Sequence, residues 1–423
     1  MTQTNGALKV IRRWCVVVAL LAMVIGGLST LPAQAVDKDW VPPSGVAFNE
    51  PRGGPKARTK LVRRVIAGIR NARKGSTIRF AMYSFDRRDV ANALLKAHSR
   101  GVNVQLVVND NWTSFQTVRL RRALGTKPRK KSFYVICNGA CRGGRGNLHM
   151  KVYAFSETGA ASSVIMTGSA NLTNRAVSLQ WNDQVTLLNQ PGLYDAFLKI
   201  FRELKFDKRV SPRRLTYDGG DAFDALFYRE VDPNSTINSA LQPRFPAPAD
   251  DPVMKRLRRI DCVAEKGFGA QGKTKIRIIM YGWNKNRGVY LAERIADLKR
   301  EGCDVAIITS VAGGKVVQIL NRARIPIKSA DYDYQTDLIT GDETVNFYSH
   351  HKVLTVNGTY DGKSVRTVWT GSENWSGTSF LNDELIIHMT SDKVYGIYLD
   401  QYAKLWKRYS HPVGVHPETL PAP

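Results

Sequence analysis

Ile78-Arg79-Phe80-Ala81-Met82-Tyr83-Ser84-Phe85 is repeated, with substitutions, as Ile276-Arg277-Ile278-Ile279-Met280-Tyr281-Gly282-Trp283. After each copy, residues 89–100 and 290–300 carry apolar side chains three and four apart, which predicts a helix. Gly101 and Gly302 then stand where a helix end calls for a left-handed residue, and a second apolar strand follows at 102–108 and 305–308. Upstream, 45–49 and 225–229 read as matching first strands, each leading through a Pro-containing turn to a basic amphipathic helix, 59–73 and 252–262. A strand, helix, strand order repeated in this way predicts an α/β protein of two similar lobes, each a mixed central sheet flanked by helices. The Pro-, Asp- and Gly-rich stretch 212–251 holds the join, placed near residue 215. The expected organisation is therefore a leader, 1–35, then a first lobe, 36–215, and a second lobe, 216–423, packed as one two-lobed body.

The leader is set apart by its pattern. Lys9, Arg12 and Arg13 precede an almost wholly apolar run from 14 to 31, and Ala33-Gln34-Ala35 supplies small residues for cleavage after Ala35, so the chain is expected to be secreted. Cys15 leaves with that segment. Four cysteines remain for an oxidising compartment, and of their three pairings Cys137–Cys141 with Cys262–Cys303 is preferred. The formal charge of +26 concentrates anions at the surface, whether lipid headgroups, nucleic acid or wall polymers, without choosing among them.

The duplication also repeats chemistry. Leu148-His149-Met150-Lys151-Val152-Tyr153 alternates as a strand would, which puts His149 and Lys151 on one face. Its second copy, Ser349-His350-His351-Lys352-Val353-Leu354, does the same for His350 and Lys352 and turns His351 to the opposite face, as a packing or solvent residue. Gly168-Ser169-Ala170-Asn171 and Gly371-Ser372-Glu373-Asn374 follow, then Asn182-Asp183-Gln184 and Asn382-Asp383-Glu384. A single HxK pair is weak evidence; two, each followed by GSxN at near-equal distance, are not coincidence. A phosphodiester repels a nucleophile, so its cleavage needs fixed cations and donors around the phosphorus. Lys151, Lys352, Asn171 and Asn374 supply these, with hydroxyls of Ser169 and Ser372 for substrate binding, while one imidazole attacks and the other protonates the departing oxygen. This requires the lobes to meet with one HxK segment from each.

With these motifs the chain resembles the phospholipase D superfamily, whose signature is HxKxxxxD followed by GSxN, twice in the two-lobed members. The resemblance implies an active site at the lobe interface, a covalent phosphohistidine intermediate, and no metal or other cofactor. It implies His149 as nucleophile and His350 as general acid and then base, with Glu384 as the acid that orients a histidine and Asp183 or Asp383 as further candidates for that supporting role. The pattern departs from the family at Ser156 and Asn357, where most members carry Asp.

Both lipid and nucleic-acid phosphodiesters are cleaved within the superfamily. Secretion and duplication in one chain favour phospholipid headgroup hydrolysis by a monomer, with transfer to an alcohol as a side reaction. Net charge favours a nuclease acting on DNA or RNA. A non-catalytic anion-binding protein with a decayed site is the third reading. The basic stretch Arg119, Arg121, Arg122, Lys127, Arg129, Lys130 and Lys131, with Arg142 and Arg145, is interleaved with Trp112, Phe115, Phe133 and Tyr134, and serves either a membrane surface or a nucleic-acid groove. His98 and His388 are read as ordinary core or surface residues, and His411 and His416 lie in a Pro-rich tail.

Overall fold

Strand register, more than helix placement, carries the duplication into three dimensions. The computed structural model describes residues 36–111, 113–143, 145–210, 214–220, 222–229, 245–330 and 347–413. The leader, Trp112 and His416 lie outside them. From Lys38 onward the chain forms one compact unit.

In the first lobe the strands are β1 (Gly45–Phe48), β2 (Thr77–Met82), β3 (Asn103–Asn109), β4 (Phe133–Cys137), β5 (Lys151–Thr158), β6 (Ala161–Gly168), β7 (Gln180–Trp181) and β8 (Asp183–Leu187). In the second they are β9 (Arg214–Asp218), β10 (Phe223–Tyr228), β11 (Ile260–Asp261), β12 (Lys275–Trp283), β13 (Asp304–Ala312), β14 (Ile327–Ser329), β15 (Tyr348–Ser349), β16 (Lys352–Tyr360), β17 (Lys363–Gly371), β18 (Glu384–Thr390) and β19 (His411–Pro412). Among the described residues the first sheet runs β1-β8-β6-β5-β2-β3-β4. The second contains the same order, β10-β18-β17-β16-β12-β13-β14, extended by β9 at one end and β19 at the other.

The parallel pairs β2/β3 and β12/β13 are joined by the helices Arg88–Ser99 and Lys285–Arg300, as the repeat requires. Gly101 and Gly302 follow them with φ of 87° and 108°, values that glycine adopts without the penalty a Cβ would bring. Outer helices cover each sheet on one side and form separate cores. On the other side, Pro191–Leu204 and Asp392–Arg408 share one core with both sheets, burying Phe197, Phe201, Tyr398 and Leu405 with Val185 of the first sheet and Ile387 of the second. Both preferred disulfides are formed, Cys137–Cys141 and Cys262–Cys303.

Two expectations are corrected. The helix at the start of the second lobe ends at Arg258 rather than at Cys262, because Ile260 and Asp261 turn away to pair with β16. The strands carrying the lysines begin at Lys151 and Lys352, so His149, His350 and His351 precede them in irregular chain. There the backbone bonds across the lobes: His149 N and Met150 N donate to Asp383 O, and His350 N donates to Trp181 O.

Candidate active site

Those cross-lobe bonds bring the two HxK segments together. Beside Leu148, which bridges to Asp383, lies His149; beside Tyr348–Ser349, which pairs in parallel with Gln180–Trp181, lies His350. Each histidine is thus fastened by its backbone to the opposite lobe.

The side chains cross in the same sense. His149 Nδ1 lies 3.0 Å from both carboxylate oxygens of Glu384. His350 Nδ1 lies 3.1 Å from Ser169 O and 3.0 Å from Asn182 Oδ1. The Asn182 amide is oriented by its own NH2 donating to Ala176 O at 3.2 Å, which leaves Oδ1 toward the ring. In both histidines Nδ1 therefore carries the proton, which leaves Nε2 as the ring nitrogen with a lone pair.

The register corrects the sequence match of the supporting residues. Gly168 pairs with Gln184, and Gly371 with Ile386, so the structural counterpart of Glu384 is Asn182 and not Gln184. The bonds from Asp183 N to Ser169 Oγ and from Leu385 N to Ser372 Oγ show the same offset. Asp183 directs its carboxylate to Ser169, Thr370 and Tyr398. Asp383 pairs with the buried Arg142, 2.7 Å from its Nε, and reaches His149 only through its backbone carbonyl. Of these three acids, Glu384 is the one whose carboxylate touches an imidazole.

Ser169 and Ser372 turn their hydroxyls to carboxylates. Both are buried; Ser169 Oγ donates to Asp183 and Ser372 Oγ to Glu384, because a buried carboxylate recruits the nearest donor. Asn171 is buried with an Oδ1 that has no partner among the described residues. Asn374 commits its Oδ1 to Gly282 N at 3.3 Å, and not its NH2. The segment Ser372-Glu373-Asn374 is held by Arg287, which bonds bidentately to Asp251 at 2.9 Å, to Glu373 at 2.5 Å and to Asn374 O at 3.1 Å.

Lys151 and Lys352 are buried, and each ammonium folds back to donate to the carbonyl of its own motif histidine, His149 and His350. Sequence reasoning missed Tyr83 and Tyr281, although both lie in the repeated stretch. Tyr83 places its ring 5.2 Å from His149 and 5.3 Å from Lys151 Nζ; Tyr281 places its ring 4.6 Å from His350 and 4.7 Å from Lys352 Nζ. A tyrosine conserved between the two copies was the available signal. Aromatic faces tolerate these cations where water is excluded.

The cluster is short of negative charge. Burial lowers Lys151 to about 7, against the pull of Glu384, and burial with repulsion from Lys151 holds Lys352 well below the ordinary lysine value. Burial, then Lys352, Lys151 and His149, puts His350 well below the usual imidazole range. His149 is also lowered by burial, against Glu384. Burial alone would raise Glu384, but His149, Lys151 and Ser372 outweigh it and keep the carboxyl below its usual value. His149 and Glu384 are thus one coupled buried pair, with the Nδ1 proton shared toward the carboxylate. A bound anion would complete the charge balance.

The missing motif aspartates leave no gap. Ser156 Oγ accepts from Thr77 N at 2.8 Å, and Asn357 Oδ1 accepts from Gly269 N at 2.9 Å. His351 is buried, tilted against the Phe48 ring, with Ser349 Oγ 3.0 Å from its Nδ1. In the basic stretch Phe133 and Tyr134 are core residues, whereas Phe115 is 73% and Val118 63% exposed.

A family model described as "Cardiolipin synthase, PLD-like domain" matches residues 65–205 and again 270–406, once in each lobe. No curated protein is similar enough to match. Among solved structures, polyphosphate kinase from Porphyromonas gingivalis superposes with a TM-score of 0.53 at 12% identity, covering 89% of this chain and 52% of that one, so the chain spans about half of the kinase. Phosphatidylserine synthase from Haemophilus influenzae superposes with a TM-score of 0.53 at 10% identity, covering 87% of each chain. These are likenesses of fold.

Proposed function

The chain belongs to the family of PLD-like domains, and from that premise we propose that it is a secreted, metal-independent phosphodiesterase of the phospholipase D type that hydrolyses phospholipid headgroup bonds. The observation that carries this reading is the crossed bracing of His149 by Glu384 and of His350 by Asn182. Neutral His149, its Nδ1 proton on a carboxylate, presents the Nε2 lone pair as nucleophile. A phosphodiester entering between Lys151 and Lys352 relieves their repulsion and raises His350, which then holds a proton on Nε2. As the bond from His149 Nε2 to phosphorus forms, the ester bond to the leaving alcohol breaks, and the His350 proton passes to that oxygen. Water then gives a proton to His350 and attacks phosphorus, which frees His149. Asn171 and Asn374 serve as donors to the phosphate oxygens. One chain supplies both motif sets, so the protein acts as a monomer.

Lipid is favoured over nucleic acid by the helix Phe115–Leu124. It exposes Phe115 and Val118 together with Arg121 and Arg122, and Ser114 at its start donates to Phe85 O, whose residue bridges to Leu172 beside Asn171. An apolar and cationic edge next to the site suits an anionic lipid surface. The nuclease reading rests on the charge of +26, but Phe133 and Tyr134, which would stack bases, are buried. The deciding experiment assays purified protein on phosphatidylcholine vesicles containing anionic lipid and on plasmid DNA, with chelator, at two salt concentrations. Headgroup release without nicking is expected. Nicking that weakens steeply with salt would establish the nuclease, and binding without turnover would establish a non-catalytic protein.

A further inference from the structure

A cavity of ≈ 460 Å³ opens on the outer face of the second sheet, under the helix Pro252–Arg258. Lys255, Arg256, Arg259 and Lys363 line it, with the carboxylates of Asp224 and Asp361, the Tyr360 ring, and Trp369 stacked on His388.

The duplication allows this face to be compared position by position. The row Asp224, His388, Trp369 crosses β10, β18 and β17. The same row across β1, β8 and β6 reads Gly45, Thr186, Met166. The covering helices align through their buried residues, Val65, Ile66 and Ile69 with Val253, Met254 and Leu257. The turns that follow agree, since Asn71 O accepts from Gly159 N and Arg259 O from Asp361 N. In that alignment Lys255, Arg256 and Arg259 replace Ala67, Gly68 and Asn71. In the first lobe Gly68 lies directly against the Phe155 ring. In the second, the position four beyond the motif lysine is Val356. The first lobe builds the same fold without any of these cations, so the fold does not require them.

The walls of the cleft are fixed. His388 Nδ1 lies 2.6 Å from Asp224 Oδ2 and its Nε2 2.5 Å from Thr367 Oγ1, so both nitrogens are engaged and the ring is a flat support, 4.3 Å from Trp369. Arg256 lies over Trp369 at 5.4 Å and Arg259 over Tyr360 at 5.1 Å. Asp361 shares Arg259, and Asp250 lies 3.5 Å from Lys255, so part of the charge is already met. Of the residues that line the cleft, four are cations and two are carboxylates, Asp224 turned to His388 and Asp361 to Arg259.

We propose that this cleft is a second anion site, separate from the paired histidines, that takes a phosphate-monoester group on a small polar molecule. Forked guanidinium donors match the oxygens of a phosphate, and the volume suits a small metabolite. Arg256 also connects the cleft to the catalytic segment. Its Nη1 is 4.0 Å from Glu373 Oε2, and it lines a small void shared with Lys352 and Glu373. An anion in the cleft competes with Glu373 for that guanidinium, next to Ser372 and Asn374.

The test is calorimetric titration of the full chain with inorganic phosphate and, separately, with glycerol 3-phosphate. A binding event is expected that persists in His350→Ala and weakens at least tenfold in the double variant Arg259→Ala/Lys363→Ala. Both altered residues in that variant lie at the protein surface. Tighter binding of glycerol 3-phosphate supports a phosphate monoester as the ligand class; equal or weaker binding, which leaves free phosphate as the ligand, overturns it. Absence of binding by either probe, or binding lost in His350→Ala and kept in the double variant, overturns the proposal. Fluorescence gives an independent readout: an anion-dependent change must vanish in Trp369→Phe, and its survival there also overturns the proposal.

Discussion

Glu384 and Asn182 hold the same position in the two lobes, and each braces the histidine of the other lobe from 3.0 Å, one as a carboxylate and one as an amide. The duplicated frame is symmetric in its hydrogen bonds and asymmetric in charge. Under the proposed mechanism, an anion behind His149 favours the ring that becomes positive as it attacks, whereas a neutral amide leaves His350 free to give its proton up.

Glu384→Gln keeps the shape of this brace and removes its charge. Steady-state kinetics on headgroup release should show kcat reduced by about 10²–10⁴ with KM little changed, in line with the worth of a positioned acid–base group. A variant with undiminished kcat would contradict the assignment of His149 as nucleophile.

The pH profile follows from the direction of each shift. His149 is lowered, so the fraction that is neutral and able to attack is lost only when pH falls below the ordinary imidazole value of about 6.5. The acid limb of kcat/KM should therefore lie below that value. Asn182→Asp gives His350 a carboxylate and raises its pKa, so the basic limb of kcat should move to higher pH; an unmoved limb would show that His350 is not the acid.

In His350→Ala, a substrate with a nitrophenolate leaving group needs no proton for departure. Rapid mixing should release about one equivalent of nitrophenolate per enzyme, and mass spectrometry should find the phosphoryl adduct on a peptide containing His149. Full turnover, or label elsewhere, would count against the two-step route.

Arg287→Met removes the shared partner of Asp251 and Glu373. Urea unfolding should show a loss of about 3–5 kcal/mol, the cost of stranding buried charge. Burial would raise Asp251, but Arg287, Tyr290 and the backbone of Val253 prevail and lower it, so its contribution is complete above the unfolded carboxylate value of about 3.9 and is lost as pH falls through the lower folded value. The native protein should accordingly lose more stability on acidification than the variant.

Ser156→Ala removes the acceptor of Thr77 N, far along β5 from the histidines. Stability should fall by about 1 kcal/mol with kcat unchanged. A large loss of kcat would give this motif position a part in the chemistry that its contacts do not indicate.

The periodic features of the chain were legible before any coordinates. The helix-closing glycines follow from spacing, because local backbone geometry decides them, and the two disulfides formed are the pairing preferred among the three that four cysteines allow. Contacts between lobes were less legible. Aligning Gln184 with Glu384 is natural in one dimension, since both end an Asn-Asp triplet, yet the pairing of β6 with β8 and of β17 with β18 shifts the match by two residues. The partners of the serine hydroxyls were hidden for a related reason: their acceptors, Asp183 and Glu384, come within reach only when neighbouring strands pair. Extended structure at His149 was also expected from alternation, but the segment instead bonds to Asp383 across the interface.

Because the backbone of each histidine segment is fastened to the other half, neither half can aim its own imidazole. Cleaving the chain between β8 and β10 would give two fragments that are each inert until they recombine. The paired site thus reports on complete folding, since His149 meets its carboxylate only once the late strand that carries Glu384 is in place.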